Sequence, residues 1–209
     1  IPVMLAIEDM EAHIIETGNT NFVTSDGELV EISVVAPDIA LSNYTGPVVN
    51  FKDLNIQEVI LGRGGFGNVI LGRYNGENVA IKKFHWNTIS KITKSALSTA
   101  FSEFRQEVLI QSTIDHPSFV KLRGISFAPF TLIMEYMPHG TLYQYLHSHK
   151  NFLFWELRRK ISLDLALGMK YLQEEVSPPI CLFDLKSPNV MMRSCDPNSD
   201  SCAKIVDFG

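Results

Sequence analysis

The sequence predicts an α+β fold, an antiparallel sheet with one helix followed by a mostly helical segment. Two patterns carry the prediction. Between Phe51 and Tyr136, short runs rich in β-branched and aromatic residues alternate with turn signals and are interrupted once by a helical period. Beyond Gly140 the apolar residues recur at helical spacing instead. With 209 residues, 45% of them hydrophobic, the chain can bury a sizeable core.

From Ile1 to Ile15 the residues Val3, Met4, Ile7, Met10, Ile14 and Ile15 recur at helical spacing, with Glu8, Asp9 and Glu11 opposite, which predicts an amphipathic helix. Asn21–Thr24 and Glu28–Ile32 flank Ser25-Asp26-Gly27, a tight-turn signal for a hairpin. The stretch from Val35 to Pro47, with two prolines and a glycine, reads as a linker. Strands are then expected over Leu54–Leu61, Asn68–Tyr74 and Glu77–Phe84, the last two joined at Asn75-Gly76. Leu97, Phe101, Phe104 and Val108 mark one face of a helix over Ser95–Ile114, which ends before Asp115-His116-Pro117. Two more strands follow, Val120–Phe127 and Phe130–Tyr136. A short helix through Leu142, Tyr145 and Leu146 precedes a long one from Phe154 to Glu175, closed by Pro178-Pro179, with Leu157, Ile161, Leu165, Met169 and Leu172 inward. From Ile180 onward two short strands are expected, joined by a polar loop from Ser194 to Asp200.

Composition excludes several classes. A net charge of -5 gives no basic footprint for nucleic acid, and no apolar run is long enough to span a bilayer. The three cysteines, Cys181, Cys195 and Cys202, are odd in number and lack metal spacing, so free thiols in a reducing compartment are expected, and with them a cytoplasmic location. The residues from Ile1 show no charged n-region followed by an apolar stretch, so no signal peptide is expected among them. An internal piece of a longer protein, cut at Gly209, is the expectation.

The chemistry-bearing motifs come in order. Gly62-Arg63-Gly64-Gly65-Phe66-Gly67-Asn68-Val69 has the G-x-G-x-x-G-x-V form, whose glycines let backbone N–H groups approach phosphates. A dinucleotide-binding fingerprint would need a helix next, but Val69-Ile70-Leu71 continues as strand; a P-loop would need Gly-Lys-Ser/Thr. Val79-Ala80-Ile81-Lys82 follows in a strand, with Lys83 on the opposite face. Glu107 lies mid-helix, with Glu103 the runner-up one turn earlier. Ile133-Met134-Glu135-Tyr136 ends the fifth strand just before the helical part. Asp184-Leu185-Lys186-Ser187-Pro188-Asn189 and then Asp207-Phe208-Gly209 complete the series.

In that order these motifs resemble the protein kinase family from about Phe51 to Gly209, and within it the tyrosine-kinase-like group. Lys186, two residues after Asp184, resembles serine/threonine kinases. Val35-Ala36-Pro37-Asp38-Ile39-Ala40-Leu41 and the ending Cys202-Ala203-Lys204-Ile205-Val206-Asp207-Phe208-Gly209 are similar to Roco kinases of the leucine-rich-repeat kinase type. The resemblance implies a bilobal protein-kinase fold with a truncated C-lobe. Residues 1–50 would be the tail of an upstream COR-like domain and a linker, 51–136 the N-lobe and 137–209 the first part of the C-lobe. It implies ATP and Mg²⁺ as cofactors and a protein substrate, with Roc and COR domains upstream through which a homodimer could form.

Roles follow from the same resemblance. Leu61, Gly62, Gly64, Gly65, Phe66, Gly67, Val69, Ala80, Lys82, Met134, Glu135, Met137 and Met191 would surround the nucleotide, with backbone groups of Glu135 to Met137 at the adenine edge. Lys82 would be oriented by Glu107, Asp184 would take the substrate proton, Lys186 would steady the transferring phosphoryl group, and Asn189 and Asp207 would hold Mg²⁺. One departure stands out: Leu182-Phe183 replaces His-Arg before Asp184. Leu182 can substitute by packing, and Gln111, a turn after Glu107, falls where an apolar residue is expected. The favoured expectation is a serine/threonine kinase whose 209 residues alone transfer little or no phosphate; the other is a pseudokinase that binds nucleotide as a scaffold or switch.

Overall fold

The computed structural model describes residues 13–14, 17, 21–23, 29–31, 41, 44–63, 67–84, 94–127, 129–148 and 152–207, without the side chains of 22–23, 29–31 and 94–100. Of the expected first helix only His13 and Ile14 are described, both helical, as is Thr17 just beyond it. The Ser25-Asp26-Gly27 turn, most of the linker, Gly64, Gly65, Phe66, Phe208 and Gly209 lie outside the described residues. The chain forms two compact units, Ile1–Ser112 with Leu122–Met134, and Thr113–Lys121 with Glu135–Gly209.

In the first unit β1 (Asn21–Val23) and β2 (Leu29–Glu31) pair antiparallel. The main sheet contains β3 (Asn55–Arg63), β4 (Gly67–Tyr74), β5 (Glu77–Phe84), β6 (Leu122–Phe127) and β7 (Phe130–Glu135), in the order β3-β4-β5-β7-β6. The β4–β5 turn uses positive φ at both Asn75 (49°) and Gly76 (84°), the backbone a two-residue hairpin of this hand requires. One face of the sheet buries Val79 and Ile81 with Val49, Leu54 and Ile133. A helix, α1 (Lys94–Thr113), buries Phe101, Phe104, Val108 and Gln111. Phe104 is central to its packing: it stacks on Phe130 at 5.1 Å and meets Phe84 and Phe127 edge-on at 5.7 and 5.9 Å. Such pairs contribute about 0.5–1.5 kcal/mol beyond their buried area.

The second unit is helical with a small hairpin, as the periodicity predicts. A capping box starts α2 (Leu142–His147): the Thr141 hydroxyl accepts from the Gln144 amide, and the Gln144 side chain accepts from the Thr141 amide. The long helix α3 spans Trp155–Glu174 and stops before Pro178-Pro179 rather than at them. Its most buried stripe is Leu157, Ile161, Asp164, Gly168 and Leu172; Leu165 and Met169, expected inward, are half-buried at its edge. At Gly168 a Cβ would lie 2.9 Å from that of Ser118 and 3.3 Å from Ile205 Cδ1, so the glycine permits close approach there. β8 (Val190–Met192) and β9 (Ala203–Ile205) pair antiparallel, and the Ile205 amide donates to the Ser118 carbonyl at 2.7 Å. The three cysteines are free thiols.

Candidate functional site

Two constellations of the expected residues form, one within each unit. In the first, cross-strand register puts Gly67, Val69 and Leu71 of β4 opposite Phe84, Lys82 and Ala80 of β5 on one sheet face. Gly62 on β3 pairs with Val69, beside Leu61. Lys83 turns to the other face, its ammonium 4.9 Å from the Phe51 ring centroid. At Gly67 any Cβ would run into the Lys83 carbonyl. Lys82 shares a face with the α1 helix, where its ammonium bonds both Glu107 carboxylate oxygens at 2.7 and 2.6 Å. Both side chains are only 14% exposed, a setting in which a charge-assisted bidentate contact is much stronger than at the surface. The Phe84 ring supports the same ammonium at 5.3 Å. Gln111 joins from one turn on, its Nε2 donating to Glu107 Oε1 at 3.2 Å. Met134 is buried at the end of this unit.

The second constellation centres on Asp184. Lys186 Nζ lies 2.6 Å from Asp184 Oδ2, and Asn189 Nδ2 donates both to that oxygen and to the Asp184 carbonyl at 3.0 Å. A 3₁₀ turn, Ser187–Asn189, sets this spacing, with the Asn189 amide donating to the Lys186 carbonyl. The hydrogen-bonded Lys186 ammonium, helped by Asn189, holds the Asp184 carboxyl below the usual carboxylate range against a smaller opposing effect of desolvation. Asp207 reaches the same neighbourhood through the β8–β9 ladder: the Val206 amide donates to the Asn189 carbonyl at 2.9 Å, and Asp207 takes a left-handed backbone with φ 72°. Leu182 packs on the cluster of Phe119, Leu172 and Ile205, whereas Phe183 is 96% exposed.

The donor set suits a hard divalent cation. With Nδ2 committed to Asp184, the Asn189 side chain presents Oδ1, and Asp207 supplies a carboxylate. Mg²⁺ is held by such pairs when phosphate oxygens complete its shell. Among the described residues no group of three or more His, Cys, Asp or Glu side chains could hold a metal by itself.

Met137 is buried, Met191 is half-buried opposite Lys204, and the Glu135 amide donates to the Lys121 carbonyl at 2.9 Å. The Glu135 side chain carries an ion-pair network that motif reading did not single out. Its Oε2 accepts from Lys204 Nζ at 2.7 Å and from the Lys121 amide at 3.3 Å, and Arg193 lies 3.9 Å from Oε1. Lys204 is only 7% exposed, and nothing in its local sequence distinguishes it from a surface lysine. Asp164 was also missed. Its Oδ2 accepts the Cys202 and Ala203 amides at 2.8 and 3.1 Å, and its Oδ1 accepts from Lys160 at 2.7 Å. Helical spacing from Ile161 and Gly168 was the available signal.

A family model described as protein tyrosine and serine/threonine kinase matches residues 55–209. Among curated proteins the chain is similar to the probable serine/threonine-protein kinase pats1 of Dictyostelium discoideum, 39% identical over 197 residues, 92% of this chain. It is also similar to the probable serine/threonine-protein kinases roco5, 38% identical over 90% of this chain, and roco11, 36% identical over 86%, from the same organism. The chain spans 6% of the length of pats1 and of roco5, and 12% of roco11.

Proposed function

Since this chain belongs to the protein tyrosine and serine/threonine kinase family, we propose that it is the nucleotide-binding part of a protein serine/threonine kinase of the Roco type, transferring the γ-phosphoryl group of ATP to a protein hydroxyl. The observation that carries the reading is the half-buried bidentate pair of Lys82 and Glu107, made between residues 25 apart in sequence. A half-buried lysine fixed by a carboxylate is a point charge placed for phosphate oxygens.

In this reading the backbone around Gly62 and Gly67 covers the triphosphate, with Gly64, Gly65 and Phe66 completing the loop. Leu61, Val69, Ala80, Met134, Met137 and Met191 enclose the base, and backbone groups from Glu135 to Met137 meet its edge. Lys82, held by Glu107, contacts the α- and β-phosphates. Asn189 and Asp207 would hold Mg²⁺, which would supply neutralisation of phosphate charge when bound. Asp184 accepts the proton of the substrate hydroxyl as its oxygen bonds to the γ-phosphorus and the bond to the β–γ bridging oxygen breaks, releasing ADP. Lys186 is beside Asp184, where it can meet negative charge on the transferring group. The depressed basicity of Asp184 suits an orienting acceptor more than a strong base.

We place this chain in the cytoplasm, with residues 1–50 as the tail of a COR-like domain and a linker before the kinase lobes, and with dimerisation through upstream Roc and COR domains. The names of the relatives support the Roco placement. A second reading, a nucleotide-binding scaffold without transfer, is favoured by Leu182-Phe183, where Phe183 stands in solvent.

Transfer of γ-phosphate by the full-length protein, beside its Asp184→Asn variant, separates the two. The expected result is a rate lower by about 10²-fold or more in the variant. Equal background in both sinks the enzyme reading, and nucleotide binding without transfer supports the scaffold. The 209-residue chain alone is expected to bind nucleotide and transfer little.

A further inference from the structure

Glu107 is held from two sides. Lys82 bonds both of its oxygens, and Gln111, four residues further along α1, donates to Oε1. That spacing sets the two side chains on the same helix face. The orientation of the Gln111 amide follows from chemistry: turned over, its oxygen would face a carboxylate, acceptor against acceptor. The nitrogen therefore faces Glu107, which leaves Oε1 pointing away. Gln111 is 5% exposed, and its Oε1 is buried with no donor among the described residues.

Three neighbours on the same stripe, Phe101, Phe104 and Val108, are fully buried apolar residues. Packing alone would be satisfied by leucine or methionine at position 111, and an apolar side chain would leave no acceptor unpaired. The amide thus carries a standing cost, and the interaction it makes in return is with Glu107.

We propose that Gln111 is a positioning residue for Lys82: it clamps the Glu107 carboxylate in the rotamer that keeps the lysine amine in place. Without the clamp, Glu107 loses the Gln111 hydrogen bond on Oε1 and samples rotamers that release the lysine. Lys82 then loses its fixed position while the surrounding core keeps or gains stability. The consequence for nucleotide rests on the functional reading above; the effect on Lys82 does not.

The experiment uses the 209-residue chain with Gln111→Leu and, as a second variant of unchanged length, Gln111→Met. Trace acetylation with acetic anhydride is read at Lys82 relative to Lys160, a lysine of similar exposure in the other unit. The expected result is a Lys82 ratio raised at least about twofold in both variants, with a melting temperature equal to or above that of the parent chain. Wild-type labelling in both overturns the proposal. So does a raised ratio accompanied by a lowered melting temperature, because loosened packing would then explain it. Titration with the fluorescent analogue mant-ATP and Mg²⁺ is the dependent arm, and about three- to tenfold weaker binding by both variants is expected. Equal binding overturns the proposal as well. Should the parent chain itself not bind mant-ATP, the nucleotide reading fails, and the labelling ratio still decides the role of Gln111.

Discussion

Lys186 acts on Asp184 before any substrate arrives. Its ammonium and the Asn189 amide both bond Oδ2, so the carboxylate is favoured over the acid. A depressed pKa in the folded chain means that the stabilisation is present above the unfolded pKa and lost as pH falls through the folded one. In Lys186→Met the titration of Asp184, followed by carboxyl ¹³C NMR, is expected to shift upward into the ordinary aspartate range. An unmoved midpoint would show that Lys186 does not govern this group. At this scale the sequence was most legible where residue identity and spacing form a motif: Lys82, Asp184, Asn189 and Asp207 need no long-range information to be singled out. Lys204 was not legible, because a lysine becomes a buried partner only through Glu135, which is 69 residues distant.

Helix α3 shows the same limit for an element. Its length and apolar period were readable, but the stripe was assigned from apolar residues alone, so Asp164 and Gly168 at its centre went unread. The reason is physical: an aspartate is buried when distant backbone donors meet it, here the Cys202 and Ala203 amides at the start of β9. Asp164 thereby ties α3 to the strand that leads into Asp207. Asp164→Ala removes an acceptor from two buried amides and the partner of Lys160, and is expected to destabilise the chain by about 4 kcal/mol in urea unfolding. Faster hydrogen exchange at Cys202 and Ala203 should accompany it. A loss below about 1 kcal/mol would mean that water replaces the lost acceptor.

For the whole molecule the informative fact is how the chain passes between its units. It crosses after Ser112, after Lys121 and after Met134. The last two crossings are pinned together on the side of the second unit: the Glu135 amide bonds the Lys121 carbonyl, and the Lys121 amide reaches the Glu135 carboxylate. Lys204 neutralises that carboxylate from β9. Lys204→Met is expected to cost about 2 kcal/mol, largely recovered in the double variant Glu135→Gln/Lys204→Met. A double-mutant cycle with no coupling would remove Glu135 from this role. Because each unit is assembled from two separated stretches, neither can be inherited as an uninterrupted block. A genetic exchange with its breakpoint inside 113–134 would give a hybrid of mixed parentage in both units at once, whereas a breakpoint before or after that stretch mixes only one, so exchanges among relatives are expected to break outside it.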